Sequence, residues 1–361
     1  MKIDLKEVVH IAIQGMSGDN AQPWFFRYRD QTLEVHHDEI KARHYFNRNN
    51  HASIVSVGTV VELIVNEAAR QGFRADVNLT SNFGSSTQSH WVNIVFVIDG
   101  TIAPRFDSRV VFLRRVHRGF YDGGSMTDPI FTKIAKDLSD LPLVKLHIQN
   151  QYSEDFINFF TACEQSTWAH GKAIVDLLDW VRFTEAESIA CGDGMYWKEL
   201  GVKIYDLPPF WLIKKFPGLL PLMFPIGIKQ KIASMGVQAI KSSAGIMCFS
   251  STEVSLQAAF QTGRAAMRSA LYLATERYAV QPLSSVSLNI FDQVSGHLPA
   301  DFKEPYRTIL QEGRAVMAKT FGLASNEVPI WAYRVGLCHQ LENIPKSLRR
   351  PTEGFLKDSA K

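Results

Sequence analysis

A helix whose apolar face is made of small residues has to press against another backbone, and Leu256 to Tyr278, the longest helix the sequence predicts, presents such a face. Ala259, Gly263, Ala266, Ala270 and Ala274 recur along it at intervals of three and four. A strong helix is also predicted over Ile54–Gln71, with Val57, Val60, Val61, Ile64, Val65 and Ala68 on one side and Gly72 as its stop. The chain has 361 residues, 46% of them hydrophobic. That is enough for about two domains of roughly 150 residues each.

Around these helices the periodicity changes. Leu5, Val8, Val9 and Ala12 predict a helix over 4–14 that stops at Gly15. FFRYR and TLEVHH alternate around Asp30-Gln31 as a hairpin, and RADVNLT and HWVNIVFVI read as two further strands. This first unit of helix, hairpin, helix and strand pair closes near residue 105, so the expected division is 1–108 and 109–361. Beyond it, helices are predicted over 125–140, twice within Glu154–Phe183 on either side of Gly171, and over Pro305–Phe321. LVKLHIQ reads as a strand, and Ile330–Leu337 as a late buried one. Few strands among many helices give an α+β pattern, not a regular βαβ alternation.

Several function classes are excluded or disfavoured. The net charge is +3 and the basic residues are scattered, so no nucleic-acid footprint appears. Cys163, Cys191, Cys248 and Cys338 lie far apart without CxxC spacing, which favours a reducing, cytoplasmic setting. The opening MKIDLKEVVHIAIQG lacks the apolar core of a secretory signal. His36 and His37 are adjacent on a strand and point to opposite faces, so together with His44 and His51 they make no metal site. GMSGD departs from a nucleophile elbow at Asp19, CGDGM has no G-x-G-x-x-G continuation, and WAHGKA lacks the first glycine of a P-loop.

LPPFWLIKKFPGLLPLMFPIGI, Leu207 to Ile228, has the length of a bilayer span. Its two central lysines each cost about 2.5 to 3.5 kcal/mol on insertion, and its prolines interrupt the backbone ladder, so no transmembrane segment is expected. Three readings remain: an apolar lid over a pocket, a dimerisation arm, or a membrane-surface loop.

GMSGDNAQPWFF, Gly15 to Phe26, is the densest polar constellation in the chain. Pro23 stiffens the loop and biases Gln22 toward extended backbone. The carboxamides of Asn20 and Gln22 each offer donors and an acceptor, which suits the alternating edge of a heterocycle such as a flavin. On composition alone, an Asx-rich turn leading to a core Trp24 is the plainer reading.

The run SGDNAQPWFF resembles the Ser-x-x-Asn-x-Gln-Pro-Trp signature of the FMN-dependent nitroreductase superfamily, with Gly15-Met16 in place of the usual Ala-Pro. SVGTVVELIVNEAARQG, Ser56 to Gly72, is similar to the helix that follows it there. FLRRVHRGFYDGG, from Phe112, resembles the family's basic flavin-phosphate segment, with Val116 where a hydroxyl is usual, and WAYRVGL resembles its C-terminal strand. The basic segment follows the Asn-x-Gln-Pro-Trp loop here instead of preceding it. That order resembles the single-chain, Acg-type branch, in which two halves are fused.

The resemblance implies a nitroreductase-like three-layer α-β-α fold and an intrachain pseudo-dimer. It implies one FMN per chain, NAD(P)H as electron donor, and a lid-like insertion at about 205–242. Ser17, Asn20, Gln22 and Pro23 would hold the ring, Arg114, Arg118 and Arg334 the phosphate, and Leu283 and Ser284 would turn a backbone N–H toward flavin N5. No side chain need act as nucleophile, since the flavin carries the chemistry. The implied reaction is ping-pong hydride transfer to a nitroaromatic, a quinone or another small acceptor. A non-catalytic FMN storage protein with a closed lid, and a specialised flavin oxidase or dehydrogenase, share the same implied fold. A homodimer of such pseudo-dimers also stays open.

Overall fold

The computed structural model describes residues 2–86, 90–223, 227–298 and 304–357. Helix α1 (Leu5–Ala12) is opened by Asp4, whose carboxylate accepts the Glu7 N–H, and buries Val8, Val9, Ile11 and Ala12. Strands β1 (Trp24–Arg29) and β2 (Thr32–His37) form the expected hairpin. Asp30 and Gln31 both take positive φ, 47° and 63°, as a two-residue turn matched to strand twist requires. The short α2 (Glu39–Ala42), the long α3 (His51–Arg70), β3 (Phe73–Leu79) and β4 (His90–Ile98) complete an antiparallel sheet in the order β1-β2-β4-β3.

The remainder begins with α4 (Val110–Leu113), α5 (Pro129–Asp137), β5 (Lys145–Gln149), α6 (Glu154–Ala169) and α7 (Gly171–Asp179). A small parallel pair, β6 (Val181–Arg182) and β7 (Met195–Tyr196), brackets α8 (Glu185–Cys191). Next come α9 (Leu207–Lys215), α10 (Leu220–Met223) and α11 (Ile228–Lys241). The chain then runs through β8 (Gly245–Ser251), α12 (Leu256–Thr275), β9 (Tyr278–Pro282), α13 (Ser284–Val294), α14 (Tyr306–Phe321) and β10 (Val328–Leu337). The second antiparallel sheet has the order β5-β8-β10-β9.

The two sheets share one plan: two paired strands, a 20-residue helix, an edge strand, and a last strand inserted beside the second. The landmarks recur 205 residues apart: α3 and α12, Gly58 and Gly263, and the start of β3 at Phe73 and of β9 at Tyr278. The left-handed residues that turn each helix into its strand, Gly72 (φ 80°) and Arg277 (φ 62°), keep the same spacing. The α+β class holds. Four strands lie where the sequence analysis placed none: the short pair β6 and β7, and β8 and β9 of the second sheet. β8 is buried at all seven positions, with Ile246 and Cys248 facing α6 and Met247 and Phe249 facing α12, so it carries no alternation.

The halves meet where α3 crosses α12. A Cβ on Gly263 would stand 2.0 Å from the Val55 carbonyl oxygen, and one on Gly58 would stand 2.2 Å from that of Phe260. The two backbones are therefore in contact. Beside the crossing, the buried Glu62 of α3 receives Arg264 (3.0 Å) and the fully buried Arg268 (2.6 Å) of α12, and Arg268 continues to Asp140 (2.5 Å). Burial alone would raise the Glu62 carboxyl, but Arg264 and Arg268 outweigh it and hold it below its ordinary value.

The cut expected at residue 108 separates the two sheets but not their cores. The core under the first sheet includes Ala258, Phe260 and Ile330, together with Phe355 from the C-terminal segment. That segment also lies along β1: Phe26 donates to the Phe355 carbonyl (2.7 Å) and Lys357 to that of Phe26 (2.9 Å). Among the described residues one helix, spanning 48–70, is long and apolar enough to cross a membrane, and 89% of its most apolar 18-residue stretch is buried inside the protein.

Gly263→Ala is expected to lower unfolding stability by at least about 1 to 3 kcal/mol through overpacking. Gly100→Ala, where nothing lies within 4 Å, should change it little. Urea denaturation of both variants checks this.

Candidate functional site

The Gly15–Pro23 loop is drawn against α3 by a reciprocal pair: Met16 N–H donates to Thr59 Oγ1 (2.9 Å), which donates back to the Met16 carbonyl (3.0 Å). Gly15 leaves no room for a side chain, since a Cβ there would meet Val60 at 2.7 Å. Asp19, Asn20 and Gln22 then take positive φ of 50°, 55° and 53°. Such a path needs side-chain anchors. Asn20 Nδ2 donates to the carbonyls of Gly194 (2.9 Å) and Leu348 (2.8 Å), and its oxygen accepts from Arg349. Gln22 Nε2 donates to the Gly192 carbonyl (2.9 Å), and its oxygen accepts the Arg350 N–H (3.2 Å).

Both carboxamides are thus spent inside the protein, and neither side chain lines the cavity described below. In this structure they are used by the fold and are not presented to a heterocycle edge. They clamp the turn at 192–194 and the C-terminal segment at 348–350 to the loop.

The C-terminal segment brings cations that the sequence reading missed. Arg114 is 4% exposed; its Nη2 reaches the Gln14 carbonyl at 3.4 Å, while its Nε and Nη1 are buried without a partner. Its electrostatic neighbours include Tyr333, Arg115, Lys346 and Arg349. Arg349 is held by the carbonyls of Ile13 (2.9 Å) and Gly15 (3.1 Å) and by Asn20. Lys346 stacks its ammonium over Phe112 at 4.6 Å. Burial first, then the neighbouring guanidiniums, pushes Lys346 down to about 7; burial lowers Arg114 to about 10 and, with Arg114 beside it, Arg349 to about 9. Among the described residues none of the three donates to a carboxylate, and Glu199 is the one acidic group that acts on the cluster, through Arg349. A buried Arg114 beside half-buried Lys346 and Arg349 is an excess of positive charge, which an anionic ligand relieves.

Beside it lies a cavity of about 910 Å³, within the range of small-molecule sites. Tyr333 belongs to both, lining the cavity and neighbouring Arg114. Aromatic walls come from Phe160, Trp168, Trp180 and Trp331, and α3 adds Ser53, Ser56 and Thr59 from successive turns. Of the expected site residues, Ser17, Pro23, Arg118, Leu283, Ser284 and Arg334 line this cavity; Asn20, Gln22 and Arg114 do not. Arg118 makes only a 3.3 Å bond to the Glu199 carbonyl and a sulfur contact to Met195, which leaves donors over.

Arg334 does not fit a phosphate. Its guanidinium is committed to Gln281 and to the carbonyls of Ala239, His117 and Gly119, and it stacks on Tyr121 at 4.3 Å. The Leu283 N–H is likewise taken, by the Ala332 carbonyl at 2.9 Å. Ser284 opens α13, where first-turn N–H groups have no intrahelical acceptor. Glu164, unmarked in sequence, also lines the cavity and contacts the Ser285 hydroxyl. Burial raises its carboxyl, so it holds a proton to higher pH than an ordinary glutamate.

The apolar segment forms one wall. Leu207, Pro209 and Phe210 of α9 face the cavity, joined by Lys231, Ile232 and Met235 of α11; residues 224–226 lie outside the described residues.

No family model matches the chain, and neither does any curated protein. Several solved structures are similar to it. One is an FMN- and NADPH-dependent nitroreductase, NfnB, from sphigopyxis sp. strain HMH, with 12% identity over 70% of this chain and 99% of that one (TM-score 0.35). Another is a nitroreductase with bound FMN from Desulfitobacterium hafniense DCB-2, with 11% identity over 68% and 94% (TM-score 0.35). A third is the FMN-dependent nitroreductase NfnB from Mycobacterium smegmatis in complex with NADPH, with 10% identity over 70% and 97% (TM-score 0.36).

The lysine makes a signed prediction for the ligand-free protein. Its folded value, about 7, lies below the ordinary 10.5, so between those pH values the unfolded chain binds the extra proton and stability from this group rises with pH. The stability difference between the wild type and Lys346→Met should therefore shift in favour of the wild type from pH 7 to pH 9. Denaturation curves at both pH values measure it.

Proposed function

We propose that this chain is an FMN-binding oxidoreductase of the nitroreductase superfamily, in the single-chain form with two fused halves divided near residue 108. The observation that carries the reading is the cation cluster of buried Arg114 with half-buried Lys346 and Arg349, in excess over the one carboxylate near it, Glu199, beside an aromatic-walled cavity. A planar ring system with a phosphate tail matches both parts. The recurring strand plan and the Asn-x-Gln-Pro-Trp loop support the same assignment.

When bound, FMN supplies hydride transfer between NAD(P)H and a second small acceptor, a nitroaromatic or a quinone. The protein's residues supply position and electrostatics. Arg114 and Lys346 meet the phosphate, Arg114 through the two donors it has to spare, with Arg349 adding charge. Asn20 acts through Arg349 as a positioning residue, and Gln22 does so through Arg350. Ser17 and Pro23 present the loop to the cavity, Arg118 adds a cation to its wall, and Ser284 offers a backbone N–H at the start of α13. Glu164, its carboxyl raised by burial, accepts the Ser285 hydroxyl on the same wall. The aromatic walls and α9 exclude water.

The purified protein should be yellow, should release a ligand with the mass of FMN, and should bleach anaerobically with NADPH or NADH. A colourless protein that also refuses added FMN would refute the reading. Arg114→Met and Lys346→Met should each weaken FMN binding by about 10- to 100-fold, the value of one charge-assisted bond. Binding to the wild type should weaken as pH rises above 7, because Lys346 then loses its proton. Lys346→Met should lose that dependence, and fluorescence titration of FMN at pH 7 and 9 checks both.

A further inference from the structure

We propose that the outer face of residues 204–222 docks on the surface of an anionic phospholipid bilayer. Six of the sixteen large apolar side chains exposed among the described residues fall in this stretch: Ile204, Tyr205, Trp211, Leu212, Phe216 and Leu222. They are not scattered singly, as exposed apolar residues on a soluble surface usually are. Within α9 the exposed positions Pro208, Trp211, Leu212 and Lys215 follow at three- and four-residue spacing, so they form one outward stripe. The opposite side of the same helix is used: Ile213 is buried, and Leu207, Pro209 and Phe210 face the cavity.

The charge around this stripe selects the occupant. Between residues 198 and 231 the chain carries six lysines against Glu199 and Asp206, a net +4 where the whole chain has only +3. Glu199 is buried, and Asp206 is neutralised by Lys231 at 2.7 Å. Lys198, Lys203 and Lys215 are exposed; Lys203 lies over Tyr205 at 5.6 Å, the two also lining the cavity, and Lys215 precedes Phe216. Tryptophan and tyrosine with a rim of lysines is the chemistry of the headgroup layer, where amphipathic rings sit among lipids and ammonium groups meet anionic phosphate. A second copy is a poorer fit, because a symmetric contact would set these lysines against their own counterparts. The nine residues of α9 are too short to span a bilayer and long enough to lie in its interface.

Docking needs no ligand in the cavity, so its test is independent of the cofactor. The full-length protein is sedimented with vesicles of equal phosphatidylglycerol and phosphatidylcholine, and with pure phosphatidylcholine vesicles. The wild type should pellet with the anionic vesicles. Trp211→Ser/Phe216→Ser/Leu222→Ser should bind at least tenfold more weakly while its thermal melt stays unchanged, and Lys203→Ser/Lys215→Ser should weaken binding to the anionic vesicles specifically. A wild type that stays in the supernatant with both vesicles, or a triple variant that pellets as well as the wild type, overturns the proposal. So does a wild-type dimer in sedimentation velocity that the triple variant loses without any vesicle binding, which would make a second copy the occupant.

Discussion

The close crossing of α3 and α12 is the constraint on which the rest depends. Two glycines, Gly58 and Gly263, let the backbones touch, and that distance brings Glu62 within reach of Arg264 and Arg268. A buried ion triad is costly to desolvate and stabilises only when fully paired. Here the pairing is assembled from both helices and from Asp140, so a shift of either helix would strand a charge. The network therefore fixes the register of the two halves as much as it adds stability. Because α3 also lines the cavity with Ser53, Ser56 and Thr59, that register sets the width of the site.

The site itself is built by relay. The Asn-x-Gln-Pro-Trp loop does not present its carboxamides to the cavity. It spends them on the backbone at 192–194 and 348–350, and through Asn20 it orients Arg349 toward Arg114. Positive φ at three non-glycine residues is the strain that this arrangement stores, and six hydrogen bonds made by two side chains, three of them buried and three part-buried, are what hold it.

Much of this was legible in the residues. The hairpin followed from alternation and a turn pair, α1 and α3 from their apolar stripes, and the small-residue face of α12 called for a close backbone neighbour that α3 provides. What escaped had physical reasons. β8 is covered on both faces and so shows no period of two. Lys346 and Arg349 sit in an irregular segment with no pattern of its own, and only the folded chain brings them to Arg114, more than 200 residues away. Arg334 is an expected phosphate ligand because WAYRVGL resembles the C-terminal strand of the nitroreductase superfamily, but in the fold its guanidinium turns into a ring of carbonyls that uses it up.

The C-terminal segment along β1 has a consequence for the newly made chain. Synthesis runs from the N-terminus, so the first sheet has all four of its strands by residue 98, yet the edge of β1 lacks Phe355–Lys357 until that segment, more than 250 residues later, has been made. Through most of translation that edge offers unpaired N–H and C=O groups, with Phe26 among them, to any other extended chain. The same late segment carries Lys346 and Arg349. Capping of the exposed edge and assembly of the cation cluster are thus one event in time, and a nascent chain passes from sticky and site-less to closed and binding-competent in a single step.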